Sequence, residues 1–517
     1  MSDHVRTVKT SSGATAVQIV RYVKRKRVVL SHIGSAHTAE ELSALKDEAL
    51  RKIEEITIQK SLFSQEKQKT SPILVINKSA YLGVRYTFIY DVLFQIFHLF
   101  DFHSVKNKLL LDLVLMRIIQ PVSKLESLEY LTEMFGIVYK DGSLYQSLKT
   151  FPSHKSVIEK KIVRFAKDHY QFDFSLVFYD VTTLYFETFK EDDDQESIRK
   201  PGFSKDNKPN QPQIVIGLIV TKEGFPIAYE VFAGNTFEGK TFIPTIIKFK
   251  DTYAVKTLTI VADAAMISFD NVEKLKEHKL SYIVGARIAN LKLDQMKTIN
   301  TELTGEIQDM VELAKRDRFS TRIQTERGLL VCDFSLKRYR KDKREMEKQI
   351  AKAEKLIAEK EGVKRTKFLI SKDKKKTEQF LNRELIEKTK LLLGIKGYYT
   401  NLIDESDKTI IDHYHSLWHV EKAFRIAKND LAMRPIYHFR KQAIEAHILI
   451  CFMALAVCKY MELKTGKSTK KTVKLLKNIT EARIKNKLTG EIIVMRQELP
   501  EEVEQLWKTL SLSRLSH

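Results

Sequence analysis

Cysteine is scarce in this chain of 517: only Cys332, Cys451 and Cys458 are present. The odd count and the lack of any CxxC spacing exclude a disulfide framework and the usual zinc spacings, and a reducing compartment is expected. Long apolar runs are missing too. The N-terminus, MSDHVRTVKTSSG, has no signal-peptide core. The longest apolar stretch, ILICFMALAV at 448–457, is about half a membrane span, so it reads as a buried helix and no membrane partner is expected. Negative charge is in short supply. Sixty-six acidic residues face 88 Lys and Arg, giving a formal net charge of +22 and a pI near 9.5. Such an excess favours a polyanionic partner, DNA or RNA; solubility in a basic proteome is the plainer reading. With 43% hydrophobic and 30% charged residues the rest suits a globular protein, and the Lys-rich, Cys-poor composition suits a bacterial cytoplasm.

Residues 15–32, TAVQIVRYVKRKRVVLSH, read as a β-hairpin with a basic tip at 24–27. A helix follows, with Thr38 as N-cap and Glu41 three residues on. From 80 to 170 the pattern is helical and poor in Gly and Pro. Strand signals begin at SLVFYDVTTLYFE. A polar loop leads to QIVIGLIV and PIAYEVF, joined by TKEG as a hairpin. A helix over 239–250, the strand TLTIVAD, a helix and the strand SYIVGAR come next. Lysines accumulate from 290 to 400, where KRYRKDKREMEKQIAKAEKLIAEKE reads as a charged helix with an apolar stripe at Met346, Ile350, Ala353 and Ile357. GYYTNLID reads as a last strand. The expected boundaries are 1–72 for a basic hairpin and helix, 73–170 for a helical DNA-binding module, 171–290 and 398–465 for two parts of an α/β core, 291–397 for an insertion and 466–517 for a basic tail.

GNTFEGKT, 234–241, matches the P-loop pattern GxxxxGK(S/T), in which Lys240 would reach nucleotide phosphates. Three points weigh against it. The preceding strand carries Tyr229 and Glu230 and pairs as a hairpin, where a P-loop strand is parallel and nearly all apolar. Only 22 residues lie between Lys240 and Asp263. An NTPase also leaves Asp180 and Glu421 without a role.

Three acids stand out. Asp180 sits inside the apolar strand FYDVTTLYF, where a carboxylate costs energy unless it is paired, binds a cation or faces solvent on an edge. Asp263 ends TLTIVAD, as acids do both in α/β sites and in ordinary turns. Glu421 lies in YHSLWHVEKAFRIAK, where helical spacing puts Tyr414, Trp418, Glu421, Arg425 and Lys428 on one face and Leu417, Val420, Phe424 and Leu431 on the next. A surface acid paired with a neighbouring base is the plainer reading of Glu421. Taken together, two strand-borne Asp and one helix-borne Glu suit two-metal phosphoryl transfer, because Mg²⁺ prefers carboxylate and phosphate oxygens.

The stretches HIGSAHTAEEL, QPVSKLESL, FYDVTTLYFE, GFSKDNKPNQPQIVIGL, GNTFEGKT, VADAAMIS and YHSLWHVEKAFRIAKNDLAMRPIYH resemble DDE transposases of the IS4 superfamily of insertion sequences, in particular the IS1634-type (IS1549-like) group. The resemblance covers nearly the whole chain. It implies an α/β fold with an RNase H-like core and a β-rich insertion before the glutamate helix. It implies Asp180, Asp263 and Glu421 as catalytic metal ligands for Mg²⁺ or Mn²⁺, with two ions. The partners it implies are double-stranded DNA, as terminal inverted repeats and target, and a second copy of the chain in the active complex. Tyr414, Trp418, Arg425 and Lys428 become candidate DNA contacts, with Arg164, Lys167 and the bases of 338–344 as secondary ones. Three positions depart from the family pattern: Leu417 stands where Arg is common, and Ala264 and Ala265 replace the more frequent Arg-Gly after the second Asp. A DNA-binding protein that has lost catalysis is the second reading.

Overall fold

The computed structural model describes residues 3–23, 26–60, 78–189, 197–208, 210–266, 268–304, 319–325, 328–358, 366–371 and 379–512. It divides into two compact units, one of Met1–Ile96, Ser123–Asp141 and Lys470–His517, the other of Phe97–Val122 and Gly142–Thr469. Neither unit is continuous in sequence, unlike the expected succession of domains.

In the first unit β1 (Asp3–Lys9), β2 (Thr15–Val23) and β3 (Lys26–Ala36) form an antiparallel sheet in that order. The hairpin is as expected; β1 is an addition on its edge. Lys24 and Arg25 of the basic tip lie outside the described residues. Val17, Ile19 and Ile33 bury against Leu45 and Ala49 of the helix Ala39–Lys60. Thr38 caps that helix: its Oγ1 accepts from the Glu41 N–H at 3.2 Å, and the Glu41 carboxylate accepts from the His37 N–H at 2.7 Å. β4 (Ser79–Arg85) precedes the helix Thr87–Leu99.

The second unit is built on an eight-stranded sheet. Its strands are β5 (Leu176–Tyr185), β6 (Gln213–Val220), β7 (Pro226–Ala233), β8 (Thr259–Ala262), β9 (Ser281–Ala286), β10 (Phe319–Thr325), β11 (Gly328–Phe334) and, after the small pair β12 (Leu369–Ser371) and β13 (Gln379–Leu381), β14 (Ile395–Thr400). The order is β10-β11-β14-β9-β8-β5-β6-β7. β5, β8 and β9 are parallel; the other neighbours are antiparallel. Every residue of β6 is buried, which requires cover on both faces. On one face Tyr179 of β5 donates to Thr241 Oγ1 at 2.8 Å on the helix Glu238–Thr252. Gly217 makes room for it, since a Cβ there would meet the Tyr179 hydroxyl at 2.4 Å. Side chains alternate along a strand, so Asp180 points to the other face. It shares that face and register with Leu218 and Tyr229, and Tyr229 packs there on Phe452.

Phe452 belongs to the helix Lys441–Thr465, which holds Cys451 and Cys458. This helix is longer than the apolar run suggested: by length and composition it could cross a membrane, yet its apolar window is 94% buried inside the protein. All three cysteines are buried, and none is in a disulfide among the described residues.

The expected insertion builds β10, β11, β12, β13 and β14 with the helices Leu293–Thr304, Leu336–Ala358 and Arg383–Leu391. Met346 and Ala353 of the charged helix bury with Phe368, Ile386 and Leu393, and Leu356 is buried where Ile357 was expected. Most of the basic run at 364–376 lies outside the described residues. Residues 466–517, expected as a tail, instead carry the helix Thr469–Lys477, β15 (Glu481–Asn486), β16 (Ile492–Arg496) and the helix Glu501–Thr509. β15 pairs between β16 and β4, completing a sheet of the first unit. Buried Glu481 accepts from Thr87 and Arg496.

The P-loop reading is overturned here. β7, which leads into 234–241, is the antiparallel edge strand. The Gly234 N–H donates to the Ile198 carbonyl at 3.0 Å and its carbonyl accepts from Gln213 Nε2 at 3.0 Å, so this backbone seats a neighbouring segment. Thr241 is buried and holds Tyr179; Lys240 is exposed. A Cβ on Gly234 would meet the Gln213 carbonyl oxygen at 2.0 Å and that of Lys200 at 2.2 Å, both backbone atoms. Gly234→Ala is therefore expected to lower stability by roughly 1–3 kcal/mol in urea unfolding, while Mg-ATP leaves the wild-type melting temperature unchanged.

Candidate active site

The parallel pairing of β5 and β8 fixes the first two acids. Leu176 pairs with Thr259 and Tyr179 with Ala262. The next residue of each strand path is Asp180 and Asp263, so the two carboxylates stand at one register on neighbouring chains. Asp263 ends β8 and opens the turn Ala264–Met266, closed by Met266 N–H donating to the Asp263 carbonyl at 3.0 Å. Asn271 anchors that turn through Nδ2, which donates to the carbonyls of Met266 at 2.7 Å and Gly239 at 2.8 Å. The two alanines thus occupy a short connector, with no side chain to reach a partner.

Glu421 lies in the first turn of the helix Trp418–Arg425 and is exposed. The helix expected from Tyr414 through Lys428 is broken into Asp407–His415, Trp418–Arg425 and a wider turn, Ile426–Asp430. At the first break Leu417 N–H bonds three residues back to the Tyr414 carbonyl at 3.0 Å, tightening the backbone. The apolar face is as read: Leu417, Val420, Phe424 and Leu431 are all buried. Leu417 is thus a core residue.

The three acids act on one another. Burial, opposed by Lys205 and reinforced by the charges of Asp263 and Glu421, pushes the Asp180 carboxyl up to about 6. Lys205 is a divided counter-ion: its Nζ donates to the Val181 carbonyl at 2.6 Å and pairs with Glu238 at 2.9 Å. The site is therefore acidic and poorly neutralised, and its hard oxygen donors are of the kind a divalent cation takes. Among the described residues, however, no group of three or more His, Cys, Asp or Glu is drawn close enough to hold an ion as built. The donor chemistry fits; the closed cluster is not formed.

Tyr414 is buried, and its hydroxyl donates to Asp263 Oδ1 at 3.2 Å. Gly285 permits this, because a Cβ there would meet the Tyr414 hydroxyl at 2.4 Å. Lys428 is partly buried and reaches Asp206 at 3.4 Å, with Arg434 on the same carboxylate. Lys422 pairs with Glu462 at 2.5 Å. Both lysines are thus held by acids other than Glu421. Trp418 is 50% exposed and stacks on His419, and Arg425 is exposed. Of the secondary candidates, exposed Arg164 lies 3.8 Å from Asp168, Lys167 rests on the Phe174 ring, and Arg338 stands 3.6 Å from Asp342. Sequence reasoning missed Lys205 and Lys396. The first was hidden in a polar loop, the second in a strand whose neighbours are distant in sequence.

Asp180 in the sheet, Asp263 just past the neighbouring strand and Glu421 on the adjacent helix are thus the acids of an α/β protein with a large mixed sheet. The family model of the transposase DDE domain matches residues 172–457, from just before β5 into the helix Lys441–Thr465. The chain belongs to this DDE transposase family, whose RNase H-like core accommodates the strands β7-β6-β5-β8-β9. No curated protein matches it. Among solved structures it is similar to the piggyBac transposase in a synaptic complex with hairpin DNA, at 10% identity and TM-score 0.33, over 81% of this chain and 74% of that one. It is also similar to the Mos1 transposase in a paired-end complex with the left transposon end and in a pre-cleavage transpososome. Each of those matches has 13% identity and TM-score 0.15, over 46% of this chain and 66% of the other.

The weakened acidity of Asp180 has a sign. Folded, it holds its proton more tightly than the unfolded chain does, so the contribution of this group to stability is greatest at acid pH and falls as pH rises from about 4 to about 6. The loss is on the order of 1–3 kcal/mol. In chelator, Asp180→Asn is expected to unfold at higher urea than wild type at pH 7, the two converging near pH 4.

Proposed function

We propose that this chain is the transposase of an insertion sequence of the IS4 superfamily, in its IS1634-type group. It binds the element's terminal inverted repeats, cleaves the DNA at the element's ends and joins the freed 3′-OH to target DNA. The observation that carries this reading is the shared register of Asp180 and Asp263, with Glu421 close enough to act on Asp180.

Asp180, Asp263 and Glu421 are the proposed ligands of divalent cations, Mg²⁺ or Mn²⁺, two in number. Bound there, such ions supply Lewis-acid stabilisation to the attacking and leaving oxygens of a phosphodiester. The protein's own part is to hold the three carboxylates on a rigid frame. Asp180 and Asp263 are fixed by the sheet. Tyr414 orients Asp263 through its hydroxyl. Trp418 and Arg425, exposed beside Glu421 on its helix, are the proposed contacts to DNA, and Lys428 bears on DNA through the Asp206 pair that it helps to hold. The net charge of +22 favours association with the DNA backbone. Two ends must be brought together, so the active complex contains at least two copies of the chain.

The test uses duplex DNA from the borders of the gene. Wild type with Mg²⁺ is expected to cut it at a defined end. Asp180→Asn, Asp263→Asn and Glu421→Gln should each lower cleavage by about 100-fold or more while retaining DNA in a mobility-shift assay. Cleavage persisting in Glu421→Gln sinks the assignment of Glu421. Binding without cleavage by wild type favours the non-catalytic DNA-binding alternative. In the same binding assay, Arg425→Ala should flatten the salt dependence by about one ion. Lys428→Ala should instead lower the urea midpoint, because it leaves Asp206 with one partner fewer.

A further inference from the structure

A half-buried lysine stands beside the acids and has not been given a role. Lys396 lies on β14, where the ladder to β11 holds it, and the pairing with β9 begins one residue on, at Gly397. Its Nζ rests 4.4 Å from the centre of the Tyr414 ring, and the hydroxyl of that ring contacts Asp263. Its cross-strand neighbour is Asp333. That carboxylate does not come within ion-pair distance; it accepts the Tyr398 hydroxyl at 2.8 Å instead. Lys396 makes no salt bridge to any described residue. A lysine taken partly out of water with no carboxylate against it is held at a cost, and burial together with nearby Arg338 makes its proton easier to lose. Stability alone gives no reason to keep it there.

A second observation concerns Leu417. The position on the glutamate helix where the resemblance places an arginine is filled by a buried leucine. The helix therefore offers no cation there, and the fold supplies one from the facing strand.

We propose that Lys396 is the phosphate-positioning cation of the active site, taking a DNA phosphate next to the acids from the strand side, across the ring of Tyr414. Tyr414 serves both groups: its hydroxyl fixes Asp263 and its ring face seats the lysine. The inference rests on the transposase reading for the identity of the anion.

The experiment compares wild type, Lys396→Met, Lys396→Arg and Asp180→Asn on border duplex DNA. It measures single-turnover cleavage with Mg²⁺, the salt dependence of binding with Ca²⁺, and the urea midpoint. Lys396→Met is expected to cleave roughly 10–100-fold more slowly, to reduce the salt slope by about one, and to keep or raise the midpoint. Lys396→Arg should restore most of the rate. Lys396→Met cutting at the wild-type rate, or an unchanged slope, overturns the inference and leaves the acid site untouched if Asp180→Asn is dead. A lowered midpoint with an unchanged slope assigns Lys396 to the core and overturns it as well. Should wild type bind border DNA without cutting it, the nuclease reading fails by itself and the salt slope alone decides Lys396.

Discussion

The burial of one carboxylate, Asp180, with two others near it at the end of a parallel strand pair, is the constraint on which the site in the second unit depends. β5 and β8 run side by side at about 4.8 Å, and their register brings Asp180 and Asp263 together. Burial and the charges of Asp263 and Glu421 act on Asp180 in the same direction, and the nearest counter-ion is shared with Glu238. A fold selected for stability alone would replace such a group. This one surrounds it with rigid support. Gly217 opens the space for Tyr179 behind Asp180, and Gly285 opens the space for Tyr414 over Asp263. Both tyrosines are pinned by their hydroxyls, to Thr241 and to Asp263. The glycines of β6 and β9 are therefore part of the site, although neither carries a functional group.

What was legible in the sequence follows from the range of each interaction. The hairpins β2–β3 and β6–β7, the helix after Thr38 and the apolar face at Leu417, Val420, Phe424 and Leu431 are set by periodicity and neighbouring residues, and the residues alone announce them. β1, β4 and β15 are not set that way. β15 is stabilised as a strand by β4, about four hundred residues earlier in the chain, and its own residues, EARIKN, have too little alternation to show it. A tail rich in lysine therefore reads as solvated until its partner is known.

Charges show the same limit more sharply. From sequence, Lys422, Arg425 and Lys428 are equivalent bases around one acid. In the structure two of them are paired with Glu462 and Asp206, residues remote in the chain, and only Arg425 is left facing solvent. The match of GNTFEGKT to a phosphate-binding loop fails for a related reason. A phosphate cradle is a property of backbone N–H groups pointing into free space, and here the Gly234 N–H already donates to Ile198. The letters specify which glycines are required. They do not specify what approaches them.

Leu417 joins these threads. Placing leucine at the break between two helices lets that turn bury its side chain and anchor the glutamate helix on the sheet. An arginine there would have to leave the core, loosening the turn that positions Glu421, or remain and bring an unpaired charge into it. A strand-borne cation avoids the conflict. Lys396 is paired to β11, next to the residues of β14 that pair to β9, so it is held by the sheet that carries Asp180 and leads into Asp263. The carboxylates and the facing cation then share one frame, and only Glu421 arrives on a separate element.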